Sequence, residues 1–170
     1  RDIEFLADPT VGEVRIGCPE SMTAAFVPAI VDRLSRQYPR VVVHMSNAQT
    51  AEQEFRELRE RTVDLMVGRV LRPLVDNDVN LEILCKDEFL VVAGSRSRWA
   101  RRRKITLEEL RDEPWVLFPN NSLIASYVAK ALRANGLEPP RESVTSFSLH
   151  ARMQLLASGR FLTVMFGSVL

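Results

Sequence analysis

The order of apolar and polar residues predicts alternating strands and helices in the first half of the chain. The run at 14–18 is compact and rich in β-branched residues, which predicts a strand, and apolar residues over 25–39 recur at helical spacing. A strand, a charged helix and a third strand are then predicted at 41–46, 50–61 and 63–68. Because nearly continuous Val and Ile runs alternate with helices, we expect a parallel sheet covered on both faces.

The same alternation restarts in the second half. Apolar residues over 81–94 predict strand, with a polar break at Lys86 and Asp87 where the chain could pass from one lobe to another. The elements predicted after that are a capped short helix at 105–110, strands at 115–118, 142–147 and 161–166, and helices at 122–136 and 148–159. The helix residues expected to face the core are Phe26, Val27, Ile30, Val31, Leu34, Phe55, Leu58, Ile124, Tyr127, Val128, Ala131 and Leu132.

Length, composition and charge limit the class of protein. With 170 residues and 46% hydrophobic content, the chain can bury one core or two small lobes and is too apolar to be disordered. Its formal net charge of +1 gives no overall field that attracts nucleic acid or an anionic membrane. Charges interrupt the apolar stretches and the first residues lack a signal-peptide core, so we expect a cytoplasmic protein, although a mature secreted form would also lack its signal.

Signals for metal, cofactor or catalytic chemistry are weak. Cys18 and Cys85 form no CxxC pair and have only His44 and His150 beside them, so we expect no metal site and interpret both cysteines as buried thiols of a reducing compartment. The sequence has no glycine-rich phosphate loop, nucleophile elbow or HExxH, and no cofactor is expected. The adjacent carboxylates at 108–109 are explained as residues of a helix start.

Polar residues follow four of the predicted strands, two in each half. Ligands of open α/β sheets bind beyond the carboxyl ends of the strands, where the next helices begin. For any one residue, capping of the helix start is the commoner role, but the recurrence in both halves favours a ligand site in a cleft between two lobes. The candidate binding residues are Ser21, Met22, Thr23, Gln49, Thr50, Asn120, Asn121, Ser122, Phe147 and Ser148.

A basic run at 95–104 surrounds Trp99 with arginines. Arginine interleaved with an aromatic residue could bind nucleic acid. Its position in an apparent loop, in a chain that is almost neutral, favours instead a solvated loop.

Several segments resemble the effector-binding domain of LysR-type transcriptional regulators. They are GEVRIGCPESMTAAFVPAIVDRLSRQYPRVVVHM (12–45), LRERTVDLMVG (58–68), RRRKITLEELRDEPWVLFPNNS (101–122) and LLASGRFLTVMF (155–166). The likeness covers nearly the whole chain and keeps the family's order and spacing. Two departures are Thr62, where the family usually has glycine, and the SRWA at 97–100, where it has H-P-L-A.

The resemblance implies an α/β fold with two Rossmann-like lobes of the periplasmic-binding-protein type. Residues 1–10 would be a linker tail from an absent helix-turn-helix domain, 11–93 lobe I and 94–170 lobe II, with a C-terminal return segment apparently missing after Leu170. Within such a cleft several helix starts would converge, so we expect a small, anionic effector, a carboxylate above all, bound between the lobes by neutral donors of the candidate residues. The resemblance also implies homodimers or homotetramers, DNA binding only through the absent domain, and no enzymatic activity.

Two other functions remain open at this point. A periplasmic-type solute-binding protein has a similar two-lobed fold, and a signal sequence with neighbouring transporter genes would favour it. An enzyme acting on a small carboxylate would need a paired acid and base in the cleft.

Overall fold

Two separate sheets organise the chain in the computed structural model, which describes residues 10–24, 26–48, 54–74 and 78–170. The chain divides into unit 1, Arg1–Asp76, and unit 2, Asn77–Ser168. Each unit has its own sheet and its own buried side chains. The lobe limits proposed from the sequence, after residues 10 and 93, stay predictions.

Unit 1 is built on a three-stranded parallel sheet in the order β2-β1-β3. Its elements are β1 (Val11–Cys18), α1 (Glu20–Thr23), α2 (Phe26–Gln37), β2 (Arg40–Asn47), α3 (Arg56–Arg59) and β3 (Leu65–Met66). The buried cluster around the central strand consists of Ile16, Cys18, Met22 and Val27. The strand, helix and parallel pairing expected from the first half are therefore confirmed.

Some elements of unit 1 are shorter than expected. The helix predicted at 50–61 is observed only as α3, with 50–53 outside the described residues, and the strand predicted at 63–68 is two residues long. Ile30 is 41% exposed, so its assignment to the core is wrong. At 3.6 residues per turn it lies about 60° around α2 from the fully buried Val27, which puts it at the edge of the buried face.

Arg15 joins β1 to the turn that precedes β3. Its backbone N–H donates to Asp64 Oδ2 at 2.8 Å, and its Nη2 donates to Asp64 Oδ1 at 2.6 Å. Its Nη1 donates to the carbonyl of Arg61 at 2.9 Å. These bonds place the pKa of Asp64 below its ordinary value, chiefly through the side-chain hydrogen bond from Arg15 and then through the backbone one.

Unit 2 contains a four-stranded sheet in the order β4-β7-β5-β6. Its elements are β4 (Phe89–Ala93), β5 (Trp115–Leu117), α4 (Leu123–Ala134), β6 (Glu142–Thr145), α5 (Leu149–Ala157) and β7 (Leu162–Phe166), with one-turn 3₁₀ helices at Glu108–Leu110 and Gly167–Val169. Every residue of β7 is buried, which marks it as the centre of the core. β5 pairs in parallel with both β6 and β7.

β4 differs in direction from the other strands of its sheet. It is antiparallel to β7, and no direction was predicted for this strand from the sequence. Antiparallel edge strands on otherwise parallel sheets are common, because an edge strand needs no helical crossover. The sequence placed this strand at the end of lobe I, whereas its partner β7 belongs to unit 2.

Local signals in unit 2 were more accurate. The capping box is present, with Thr106 N donating to Glu109 Oε2 at 2.8 Å and Glu109 N donating to Thr106 Oγ1 at 3.4 Å. Gly136, just beyond α4, has φ +80°, as expected of a helix stop. Tyr127 was expected inside but is 43% exposed, because it lies at the edge of the stripe centred on Ile124 and Val128.

The two cysteines differ in exposure. Cys18 is buried in the core of unit 1, and this burial raises the pKa of its thiol. Cys85 is exposed, so the prediction that it is buried is wrong. It belongs to 81–88, which forms no strand and leaves Leu81, Ile83 and Leu84 on the surface. Among the helices of the described ranges, none has both the length and the apolar character needed to cross a bilayer.

Candidate functional site

The loops after β5 and β6 lie together at one edge of the unit 2 sheet. The strands are parallel, so their carboxyl ends are on the same side. Ser146 N donates to the carbonyl of Leu117 at 2.9 Å, and the rings of Phe118 and Phe147 are 6.3 Å apart between centroids. We call this surface, residues 118–122 and 146–148, the unit 2 edge.

The two serines of the unit 2 edge cap the helices that begin there. Ser122 Oγ accepts from Ala125 N at 3.2 Å, and Ser148 Oγ accepts from Ala151 N at 3.3 Å. The capping role considered from the sequence is therefore present in both. Capping leaves other N–H groups of the first turn, and the positive end of the helix dipole, at the same edge. Two helix starts thus add positive potential at one place.

The two asparagines have different environments. The Asn120 amide donates to the carboxylate of Glu142 at the start of β6. The pKa of Glu142 lies below its ordinary value, first through a bond from its own backbone N–H and then through Asn120. Asn121 is exposed and makes no hydrogen bond to any residue within the described ranges. Asn121 is thus the asparagine whose amide is available at the unit 2 edge.

Arg152 is a residue that the sequence reasoning missed. It lies one turn into α5, is only 4% exposed, and its guanidinium carbon is 4.2 Å from the centroid of Phe118. Its Nε and Nη2 donate to Thr163 Oγ1 at 3.2 and 3.0 Å, and Nη2 also donates to the carbonyl of Val164. The structure therefore places a buried positive charge next to the unit 2 edge.

A sequence signal for Arg152 existed. Leu149 and Leu156 are three residues before it and four residues after it, so all three share one face of a helix. An arginine on the apolar face of a helix is uncommon unless a specific environment receives its charge. Only the first residue or two of each predicted helix were considered as binding residues, which is why Arg152 was overlooked.

In unit 1 the candidate residues follow β1 and lie in α1. Ser21 Oγ accepts from Arg69 Nη1 at 2.9 Å, and the Thr23 hydroxyl donates to the carbonyl of Glu20 at 2.8 Å. Met22 is buried in the core cluster. The remaining two candidates of this unit, Gln49 and Thr50, lie outside the described residues.

Arg69 was also missed. It follows β3, which pairs with β1, so it comes to the same sheet edge as Ser21. Its sequence signal is an arginine placed three residues after the end of the short apolar strand β3, in GRVLRP at 68–73. Each unit therefore brings at least one arginine and one hydroxyl to a carboxyl edge of its sheet. Such a set of donors suits an anion.

The sequence pattern of the LysR substrate binding domain matches residues 7–170. The chain belongs to this family. Among its curated relatives, the LysR domain is 28% identical to the HTH-type transcriptional regulator TdcA of Escherichia coli (strain K12) over 163 residues, which is 96% of this chain and 51% of that protein. It is 24% identical to the regulator CysL of Bacillus subtilis (strain 168), over 94% of this chain and 52% of the relative. The chain thus spans about half the length of the curated relatives it matches.

Solved structures share the fold. The BenM effector binding domain with its effector benzoate superimposes with a TM-score of 0.73 at 19% identity, covering 92% of this chain and 71% of BenM's. CbnR, a LysR family transcriptional regulator, superimposes with a TM-score of 0.75 at 17% identity, covering 99% of this chain and 57% of CbnR's. The effector binding domain of QuiR in complex with shikimate superimposes with a TM-score of 0.71 at 18% identity, covering 92% of this chain and 74% of QuiR's. The predicted two-lobed fold of the periplasmic-binding-protein type is confirmed, and the family consists of transcription regulators rather than enzymes.

Proposed function

We propose that this LysR domain senses a small anionic molecule, most simply a carboxylate, which binds at the unit 2 edge. The observation that carries the proposal is the buried Arg152 beside the capped helix starts. A buried arginine charge costs several kcal/mol unless its surroundings compensate for it, and Thr163, Val164 and the ring of Phe118 hold this one in place beside the unit 2 edge. An anion held close by would benefit from that charge and from two helix dipoles.

The surroundings of the arginine suit a ligand that contains a ring. Phe147 is 44% exposed while its neighbour Phe118 is buried over Arg152, so an apolar surface flanks the polar donors. Benzoate and shikimate, named for the BenM and QuiR structures, are both ring carboxylates. Phe147 would contact the ring, and Asn121 and Ser148 with nearby N–H groups would bind the carboxylate. The Ser122 hydroxyl donates to the carbonyl of Pro119 at 2.7 Å, so Ser122 would act by capping the helix whose first turn faces the ligand.

In unit 1, Ser21 and Arg69 would supply a second set of donors, whereas the Thr23 hydroxyl already donates to the carbonyl of Glu20. That a single ligand also contacts Ser21, Met22, Thr23, Gln49 and Thr50 stays a prediction. A ligand that binds one conformation of the domain better than another shifts the equilibrium toward it. By analogy with the relatives, we propose that this shift controls a helix-turn-helix domain bound to DNA in the cytoplasm, within a homodimer or homotetramer.

A thermal-shift screen of ring carboxylates tests the ligand class. At about 100 times its dissociation constant a ligand stabilises the native state by roughly 2.7 kcal/mol, which is easily measured. The corresponding neutral amides serve as matched controls and should give no shift. A molecule whose amide and carboxylate stabilise the domain equally would contradict the anionic assignment.

Variants of Ser148 separate capping from ligand binding. Asp and Ser cap helices about equally well, so Ser148→Asp should unfold at nearly the same urea concentration as wild type. The added negative charge should nevertheless weaken carboxylate binding at least tenfold, about 1.4 kcal/mol. Ser148→Asn keeps the cap without adding the charge, so it should lose less affinity for the carboxylate than Ser148→Asp.

Ser158→Ala is the control for the serine variants, because Ser158 follows the last residue of α5, at the end of the helix opposite to Ser148. Ser148→Ala should weaken binding by roughly 0.5–3 kcal/mol, the range for a lost hydrogen bond. Ser122→Ala removes a cap and should mainly lower the stability of unit 2, by about 1 kcal/mol. Unchanged affinity in Ser148→Asp would place the ligand away from the unit 2 edge.

A further inference from the structure

The basic loop, residues 95–104, lies at the end of the unit 2 sheet opposite to the unit 2 edge, because the last residue of β4 pairs with the first residue of β7, which runs parallel to β5. It follows β4 and contains Arg96, Arg98, Arg101, Arg102, Arg103 and Lys104. The whole sequence has a formal charge of only +1, so these six cations are a local concentration of charge. A local patch creates a field at its own surface even when the net charge is small.

The loop has a defined conformation rather than an open, solvated one. Ser97 is buried, and its N–H donates to the carbonyl of Gly94 at 2.8 Å. Further turn bonds run from Ala100 N to the Ser97 carbonyl at 3.1 Å and from Arg102 N to the Trp99 carbonyl at 3.1 Å. The backbone of the loop is therefore fixed before any partner binds.

Two of the arginines are neutralised within the protein. Arg98 pairs with Glu113, and Arg102 pairs with Glu109 at 2.7 Å. Their guanidinium carbons also lie 5.0 and 6.0 Å from the Trp99 ring centroid, so the indole is held by both. Arg98 and Arg102 therefore stabilise the conformation of the loop itself.

The other four cations have no such partners. Arg96, Arg101, Arg103 and Lys104 are exposed and form no ion pair or hydrogen bond with any residue of the described ranges. The turn at Gly159 contacts the loop, since a Cβ there would lie 2.8 Å from the Arg96 carbonyl oxygen, and this brings Arg160 into the same region. Uncompensated charges held close together repel one another, and an external polyanion would relieve that repulsion.

We propose that the basic loop binds the phosphate backbone of duplex DNA without regard to sequence. Arginine provides most of its charge, and the guanidinium fork matches phosphate oxygens in a bidentate way. Residues 95–104 form turns and not the helix or β-ribbon that enters the major groove, so the contact would lie on the phosphates and carry no sequence information. This proposal depends on the proposed function in one respect: a transcription regulator is held close to DNA, where the basic loop can contact it.

Fluorescence anisotropy with a labelled duplex of arbitrary sequence tests this on the 170-residue chain. Four phosphate contacts give a slope of log affinity against log salt of about −3.6, so the affinity should fall about 150-fold between 50 and 200 mM salt. In the triple variant Arg101→Ala, Arg103→Ala, Lys104→Ala the slope should drop to about −0.9, with a fall of only about 3-fold. Arg101→Lys with Arg103→Lys keeps the charge and should keep the slope.

The matched control removes the same charge elsewhere in unit 2, through Lys130→Ala, Arg133→Ala and Arg141→Ala. This control should bind DNA as wild type does, and equal losses in both triple variants would overturn the proposal. So would tight binding to polyglutamate in place of DNA, which would indicate an acidic protein partner, or a preference for one duplex that survives unrelated competitor. The carboxylate thermal shift should be unchanged in the triple variant, which keeps the two proposals separately testable.

Discussion

Three glycines in unit 2 differ in what a side chain would meet. A Cβ on Gly94 would lie 1.8 Å from the carbonyl oxygen of Leu156. Gly159 combines φ +78° with a Cβ position 2.8 Å from the Arg96 carbonyl, while Gly136 has φ +80° and no atom within 4 Å. The three positions thus separate steric contact from backbone strain, since only Gly159 of the three combines both.

Alanine at these positions should destabilise unit 2 in a fixed order. Gly136→Ala introduces only the left-handed strain, about 1 kcal/mol. Gly159→Ala adds a contact with backbone and should cost about 2–3 kcal/mol, and Gly94→Ala should cost more than about 3 kcal/mol because β4 and α5 must separate. Urea unfolding followed by tryptophan fluorescence measures this, since both tryptophans, Trp99 and Trp115, belong to unit 2. Equal losses at Gly136 and Gly94 would contradict the assigned contacts.

The sequence predicted residue roles best where a single local rule decides them. Ser122, Ser148 and Gly136 follow from helix caps and stops alone. Arg152 and Arg69 do not, because their importance depends on Phe118, Thr163 and Ser21, which are distant in sequence. The polar residues at the helix starts could be proposed from the sequence, and the arginines could be noticed there, but the contacts that place the arginines beside these residues could not.

At the scale of elements, the Arg15–Asp64 pair joins β1 to the turn before β3. The pKa of Asp64 is lowered in the folded protein, so its contribution to stability is present above the ordinary carboxyl pKa and is lost as pH falls through the lowered one. Unit 1 should therefore weaken in acid, below about pH 4.

Titration of the Asp64 carboxyl carbon by NMR measures the effect directly. In Arg15→Met the midpoint should move up toward the ordinary value, because the side-chain hydrogen bonds are gone, although the backbone N–H of residue 15 remains a donor. Arg36→Met removes an arginine from an ion pair on α2 and serves as the control. If the titration midpoint of Asp64 were unchanged in Arg15→Met, the Arg15–Asp64 ion pair would not be the cause of the lowered pKa.

Element positions followed from periodicity, but their edges and orientation did not. The stripes of α2 and α4 were located correctly, while Ile30 and Tyr127 at their margins are exposed because periodicity does not give the width of a buried face. The direction of β4 also could not be read from its sequence, since parallel and antiparallel edge strands share the same composition.

At the scale of the whole molecule, β2 is an edge strand of the unit 1 sheet with apolar side chains on its surface. Val42 is 52% exposed and Met45 48%, and Ile30 of α2 is also exposed. Exposed apolar edge strands are sites of pairing with a second chain. Together with the homodimer or homotetramer proposed above, this supports the proposal of a subunit interface formed by β2 and α2.

Light scattering over a concentration series should therefore show at least a dimer. Val42→Lys places a charge in the proposed interface and should shift the protein toward monomer. Val91→Lys is the matched control, an exposed valine on β4, the edge strand of the other sheet, and should leave the mass unchanged. A wild-type chain that stays monomeric at high concentration would rule out this interface.

The unequal exposure of the two cysteines gives unit 1 a reporter of its own. A thiol-specific reagent reaches Cys85 in the native protein, whereas Cys18 is protected by burial and by a raised pKa that keeps its thiol protonated. Modification of Cys18 then proceeds only as fast as unit 1 opens. With both tryptophans in unit 2, counting labelled thiols by mass while recording fluorescence follows the opening of each unit separately in one sample.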